Sequence, residues 1–490
     1  MMSKYIVAVD QSTSGTKAVL FDENAEILGR SDLPHRQKIS DEGWISHDPM
    51  EIYRNVLSVV KNLVAETGIS PEELAAVGLS NQRETAVVWD RVTGVPVCDA
   101  VVWQCVRGAE ICEGLAESAE LVKEKTGIPL SPYFSAAKIA WILGNIPELH
   151  REGLCAGTID SWLLFQLSGR KTFKTDYSNA CRTQLFNIST LAWDAELCDL
   201  FGIPLSILPE VCDSDSLFAY TDFAGLLSKA IPIYGVLGDS HAALFGQGCL
   251  EKGMTKATYG TGSSVMMNIG EHPIFSQEGL ATSLAWGMQG KITYVLEGNI
   301  NYTGSVIQWL CKDVGLMENA KEAGALAKTA DAEDSTYLVP AFTGLGAPYF
   351  KSDAKALLSG MTRRTGRAEI IKAGEESIAY QIADIVTLIS KESGTSLTEL
   401  RVDGGPTRDD FLMQFQSDIL NIPVAVPENE ELSAMGVAYT AGIAGGIYQS
   451  GELNQSKKQF YMPKMCEQER QKRINGWKNA INMLIKEKST

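Results

Sequence analysis

Two short segments of this chain combine carboxylate, hydroxyl, glycine and cation in an order that phosphate chemistry could use. The first is Asp10-Gln11-Ser12-Thr13-Ser14-Gly15-Thr16-Lys17. Phosphate oxygens need backbone and hydroxyl donors at close range, which Thr13 and Ser14 would offer; Gly15 would let the main chain approach, Lys17 adds a positive charge, and Asp10 can hold Mg²⁺ directly or through water. Taken alone, an ordinary polar turn explains the segment equally well. The second, Tyr259-Gly260-Thr261-Gly262-Ser263-Ser264, repeats the tip with Thr261 at its apex, and two facing hairpins could grip one phosphate chain across a cleft. A third piece is Gly404-Gly405 after LRVD, with Asp409 on the first turn of the next helix. A nucleotide could lie over these glycines, although a tight strand-to-helix turn is the commoner use of such a pair.

A different set of residues suits a small hydroxylated molecule. Arg83 and Glu84 follow the strand VGLS, Trp103 lies in AVVWQ, Tyr133 in SPYFSAAK and Asp239 in VLGDSHAALFG. Arg and Glu can bind hydroxyls while Trp and Tyr cover a carbon face. Asp239 follows an apolar strand and a glycine, where partial burial would suit it to take a hydroxyl proton; a helix N-cap for HAALFG is the equal alternative. His241 reads as a structural histidine.

The elements that must position these groups come in two similar runs. YIVAVD, TKAVLFD and EILGR are three strands of an antiparallel meander, followed by a helix over 49–67 capped by Asp48, with Glu51 completing a capping box, and then by the strand AAVGLS. KATY, the tip GTGSS and VMMNI form a second hairpin, with ITYVLEG as a further strand and YTGSVIQWLCKDVG as a helix. LRVDGG then runs into the helix TRDDFLMQFQSDIL, and 469–488 reads as a docked terminal helix with Ile474, Trp477, Ile481 and Leu484 on its apolar face. The chain has 490 residues, while single cores stop growing near ~250–300. This predicts an α/β protein of two domains, residues 1–246 and 247–490, with a cleft between them.

Composition removes several classes of function. Forty-three Lys and Arg against 60 Asp and Glu give a net charge of −17, which argues against a nucleic-acid or anionic-membrane partner. The ten cysteines show no metal-ligand spacing and read as reduced thiols of a cytoplasmic protein. The start MMSKYIVAVD has no signal-peptide pattern, and the apolar stretch Leu432–Tyr448, broken by Gly436, Gly442, Gly445 and Gly446, reads as a buried helix packed through small residues.

Together HDPMEI, NQRET, AVVWQC, PYFSAAKIAWIL, TDYSNACRTQLFN, ALFGQ, YGTG, FTGLGAPYF, ESIAYQ, RVDGG and FLMQFQSDIL resemble the FGGY carbohydrate kinases, nearest to the glycerol-phosphorylating members. The resemblance implies two ribonuclease-H-like domains of the actin and sugar-kinase type, with ATP and Mg²⁺ between them and γ-phosphoryl transfer to a primary hydroxyl. It assigns Asp10 to Mg²⁺, Thr13, Ser14, Lys17 and Thr261 to the phosphates, and Gly304, Gln308, Gly405 and Asp409 to the nucleotide; Lys17 stands where those enzymes have Arg, and Asp409 where they have Asn. Arg83, Glu84, Trp103 and Tyr133 match the acceptor site and Asp239 its base. Ser240 and Ser264 replace a Gln and a Phe there, which would widen the cup. The implied acceptor is glycerol, with a larger polyol or ketose such as xylulose as the alternative. A non-catalytic sugar sensor or an acceptor-independent ATPase stays open on sequence grounds, and a homodimer or homotetramer is the expected assembly.

Overall fold

The computed structural model describes residues 5–146, 153–449 and 457–485. The strand Tyr5–Gln11 turns back as Gly15–Phe21, with Asp10 opposite Lys17 in the register, and Ile27–Pro34 completes the antiparallel meander. On its other side Tyr5–Gln11 pairs in parallel with Leu74–Asn81, which pairs in parallel with Ile231–Gly238; Ala219–Thr221 closes that edge antiparallel. The apolar runs IVAV and AVLF are buried on both faces, as strands flanked by helices must be.

The second sheet repeats this plan. Thr255–Tyr259, Ser263–Gly270 and Lys291–Ile300 form the meander, with Ala281–Met288 as an added edge strand that the sequence reading lacks. Thr255–Tyr259 pairs in parallel with Leu400–Asp403, which pairs in parallel with Val424–Pro427, and Lys458–Tyr461 is the antiparallel edge.

The helix Pro49–Thr67 starts as expected, with Asp48 accepting the Met50 amide and Gly68 ending it in the left-handed conformation. Glu51 does not close a capping box; it accepts the amide of Arg36 instead. The stretch read as a buried helix is Leu432–Ala444, which follows the second sheet in the chain yet packs on Ile231–Gly238, Leu74–Asn81 and the helix Asp239–Gly246. Side chains on Gly78, Gly235 and Gly436 would collide with backbone across these contacts, so the elements meet main chain to main chain. A segment from the second half of the chain thus packs on the first sheet. Among the described residues no helix is long and apolar enough to cross a membrane.

The terminal helix runs over Glu467–Ile485, residues 486–488 lying outside the described part. Its Trp477 stacks on Tyr380 with centroids 5.1 Å apart and donates to Asp384, both on the long helix Arg367–Ser393. Burial of that aromatic face docks the helix.

Candidate active site

Asp10 is the penultimate residue of the first strand, with its carboxylate buried and its Oδ1 without a hydrogen-bond partner. Burial pushes its carboxyl up to about 6, opposed by the Lys17 ammonium and reinforced by the Asp239 carboxylate. An orphaned carboxylate oxygen near a second carboxylate is a donor set that a hard divalent cation fits. Among the described residues no cluster of three or more potential ligands exists, so the remaining ligands of such an ion would be phosphate oxygens and water.

The hairpin tip beside it folds on itself: the Ser12 amide and hydroxyl both donate to the Gly15 carbonyl, at 2.8 and 3.1 Å. Gly15 serves a purpose other than the one the sequence suggests. A Cβ there would lie 2.7 Å from the Leu33 carbonyl, so the glycine admits the neighbouring strand rather than a phosphate. Lys17 also differs from expectation, because its Nζ donates to Glu431 at 3.0 Å, and Arg30 binds the other oxygen of the same carboxylate at 2.5 Å. Thr13 accepts from Trp103 Nε1 at 2.9 Å, and Trp103 meets Tyr133 edge-on with centroids 5.4 Å apart. Ser14 is exposed at the tip.

Asp239 is the first residue of its helix, whose N-cap is Gly238. Its Oδ1 accepts the Ser240 amide at 2.6 Å and faces Arg83 Nε at 3.4 Å, while a side-chain exposure of 34% leaves it open to a ligand. Arg83 and Glu84 sit deeper than surface hydroxyl binders would. Arg83 forks onto Glu297 at 3.1 and 3.3 Å, Arg182 joins Glu84 at 2.6 Å to Glu297 at 2.9 Å, and Ser264 donates to Glu297 at 3.0 Å. The two arginines hold the Glu297 carboxyl well below the ordinary range in spite of its burial. Neither Arg182 nor Glu297 was identified as a site residue from sequence. Glu297 did carry a signal: one charge inside the apolar strand YVLEGN must find a buried partner. His241 is buried and neutral, its Nε2 3.5 Å from Ser283 Oγ and its Nδ1 without a partner.

The second tip is braced by the segment after it. Gly260 accepts from the Gly304 amide at 2.9 Å, and Thr261 accepts from the Ser305 amide and hydroxyl at 3.1 and 2.9 Å. Gly404 adopts φ 98°, and a Cβ there would strike the Tyr259 carbonyl. The helix does not start directly after the glycines: a 3₁₀ turn covers Gly405–Arg408, and Asp409 is the N-cap of Asp410–Leu420, accepting the Phe411 and Leu412 amides. Gly260, Thr261, Gly304, Gln308, Gly405 and Asp409 thus line one cavity of about 660 Å³, floored by Ile307, Ile378 and Leu412. Such a space suits a nucleoside, with Gly260 of the second tip and Gly405 of the strand-to-helix turn on its wall.

The chain matches the model of the FGGY family of carbohydrate kinases, N-terminal domain, over residues 5–246 and that of the C-terminal domain over 255–445. It is 45% identical to a glycerol kinase of Bacillus licheniformis over 98% of this chain and 99% of that protein, and 46% identical to glycerol kinase 1 of Thermotoga maritima over 99% and 100%. The crystal structure of Plasmodium falciparum glycerol kinase with ADP superposes with a TM-score of 0.93 at 34% identity, covering 99% of each chain. A ligand-bound xylulose kinase of Lactobacillus acidophilus shares the fold, with a TM-score of 0.89 at 21% identity over 98% of this chain and 97% of that one. The chain belongs to the FGGY family of carbohydrate kinases. It is an ATP-dependent phosphotransferase acting on an alcohol group, with the actin and sugar-kinase type of fold.

Proposed function

We propose that the enzyme phosphorylates glycerol at a primary hydroxyl, giving glycerol 3-phosphate, with Asp239 as general base and Asp10 as the Mg²⁺ ligand. The observation that carries this reading is the placement of Asp239. Its Oδ1 is held by Arg83 and the Ser240 amide, and among the described residues nothing bonds its Oδ2. That oxygen can take the proton of an incoming hydroxyl while the alcohol oxygen attacks the γ-phosphorus and the bond to the bridging oxygen of ADP breaks. Mg²⁺, when bound at Asp10, would offset charge on the phosphate oxygens. Trp103 and Tyr133 cover one side of the acceptor, and the Arg83–Glu297–Arg182–Glu84 network fixes Arg83 where it orients the base. Thr13 and Ser14 from one tip and Thr261 from the other supply phosphate donors, and the nucleoside occupies the cavity lined by Gln308, Gly405 and Asp409. Curated relatives that are glycerol kinases at 42–46% identity over nearly the whole chain support glycerol.

Ser264 favours a second reading. Its hydroxyl donates to Glu297, which holds Arg83, and Ser240 adjoins Asp239; two such small side chains would leave room for a ketose or longer polyol. Coupled ADP release measured with glycerol, xylulose and longer polyols separates the two: the highest kcat/KM on glycerol supports the first reading, and a preference for a longer acceptor by tenfold or more overturns it. Asp239→Asn should lower kcat on the order of 10³-fold; near-wild-type turnover with an unchanged pH profile would remove the base. The reading carries with it a domain division near 246, a cytoplasmic setting and a homodimer or homotetramer.

A further inference from the structure

One acid in the nucleotide cavity has no hydrogen-bond or ion-pair partner among the described residues. Glu375 lies on the helix Arg367–Ser393, is 3% exposed, and faces the cavity beside Ile378, Gln308 and Asp409. Among the described residues no hydrogen bond and no cation reaches its carboxyl; the charge that acts on it is Asp409, a second acid. The next residue behaves differently, since Glu376 meets Arg473 at 3.0 Å and Lys372 at 3.9 Å. The helix therefore pairs one inward acid with protein cations and leaves the other to the cavity.

Local packing fixes both acids. A Cβ on Gly374 would lie 2.5 Å from Leu310, so the helices Gly304–Lys312 and Arg367–Ser393 close on each other there and bring Glu375 next to Ile307 and Gln308. Asp409 is held by two helix amides through Oδ1, at 2.8 and 3.3 Å, and by Gly324, whose missing side chain leaves the space its carboxylate fills.

A buried carboxyl without a partner is costly unless a ligand satisfies it. Burial, reinforced by Asp409, raises Glu375 well above the ordinary glutamate value and so favours the uncharged acid, a hydroxyl donor beside a carbonyl acceptor. Around it Ile307, Ile378 and Leu412 give an apolar slot for a flat ring. Adenine offers the complement: an exocyclic amino donor next to a ring-nitrogen acceptor.

We propose that Glu375 reads the amino-bearing edge of adenine, accepting the 6-amino N–H on its carbonyl oxygen and donating its hydroxyl to the adjacent ring nitrogen. The inference rests on the reading of this cavity as the nucleotide site.

The test compares KM for ATP and for purine riboside 5′-triphosphate, which lacks the amino group, in the full-length wild type, Glu375→Leu, Glu375→Gln and Gly405→Phe. The wild type should lose about tenfold in KM when the amino group is removed. Glu375→Leu should show less than a twofold difference, and Glu375→Gln, a neutral donor and acceptor of the same shape, should keep most of it. An equal ratio in wild type and Glu375→Leu overturns the assignment, as does a wild type that does not distinguish the two nucleotides. Gly405→Phe tests the cavity itself, because a side chain at 405 meets no protein atom within 4 Å and would project into the nucleotide space. If Gly405→Phe raises both KM values while the ratio in Glu375→Leu stays at the wild-type level, the cavity reading stands and the role of Glu375 falls. If Gly405→Phe leaves KM for ATP unchanged, the cavity reading falls as well.

Discussion

The two sheets follow one plan, and each carries an acid near the C-terminal end of a central strand, Asp10 and Asp403, but the hydrogen bonding of the two differs. In the second sheet Asp403 lies opposite Thr258 and accepts from Thr258 at 3.1 Å and from Gln247 at 2.5 Å, with the buried Lys256 ammonium as its counter-charge. In the first sheet Asp10 lies on the hairpin strand itself, its Oδ1 is unbonded, and its nearest cation, Lys17, donates instead to Glu431. A duplicated scaffold thus carries one acid whose carboxylate is hydrogen-bonded within the protein, although burial still raises it above the ordinary range, and one with an unbonded oxygen that is available to a ligand. Burial alone does not mark a functional carboxylate; burial combined with an unmet hydrogen-bonding demand does.

The contrast can be broken most severely at Asp10. Asp10→Asn should reduce kcat/KM on the order of 10³-fold at saturating Mg²⁺. The same variant should not lose stability. The folded-state value is raised to about 6 from 3.8, so the ionised acid costs about 3 kcal/mol above pH 6 and nothing below the ordinary carboxylate range. Metal-free Asp10→Asn should therefore denature at higher urea than wild type at pH 7.5, with the gain vanishing as pH falls from 6 toward 4. A variant less stable than wild type at pH 7.5 would show that Asp10 is held by partners, as Asp403 is.

Asp403→Asn should behave in the reverse manner. It removes the counter-charge of the buried Lys256, whose ammonium burial already disfavours, and should lower stability in urea unfolding, while kcat stays within about tenfold. A catalytic loss as deep as that of Asp10→Asn would erase the distinction between the sheets.

The smallest effect is expected at Glu375, the unsatisfied acid of the second half. Glu375→Leu should raise stability modestly at pH 8, since the wild-type carboxyl is raised above its ordinary value and resists ionising when buried. The difference should shrink as pH falls toward the ordinary glutamate range, where the acid is protonated folded and unfolded alike. Urea titrations at pH 8 and pH 5 check the sign; no difference at either pH would mean that Glu375 is solvated.

Much of the candidate site could be picked out because short polar segments interrupt apolar strands at fixed places. Asp10, Thr261, Gly405 and Asp239 each follow such a strand, and a strand's end is where a sheet exposes side chains to a cleft. The roles of individual residues were less legible. Lys17 looks like a phosphate ligand beside Thr13 in sequence, but Glu431 comes from more than 400 positions further along the chain and claims its charge. Gly15 looks like a phosphate-approach glycine, but the adjacent strand needs that space. Arg182 and Glu297 sit in segments with no recognisable tip, and their importance lies in the pairing between them. The helix Leu432–Ala444 was recognisable as buried, but not as buried against the first sheet.

By itself the sequence determined the kinds of element and the chemistry available: alternating and continuous apolar runs dictate strands and helices, and hydroxyl, glycine and carboxylate clusters dictate phosphate and alcohol chemistry, because both depend on neighbours a few residues apart. The tertiary structure decided which acids are satisfied and which are left open, because a buried charge is defined by the groups that reach it through space. Asp10 and Glu375 owe their character to the partners that Asp403 and Glu376 have and they lack.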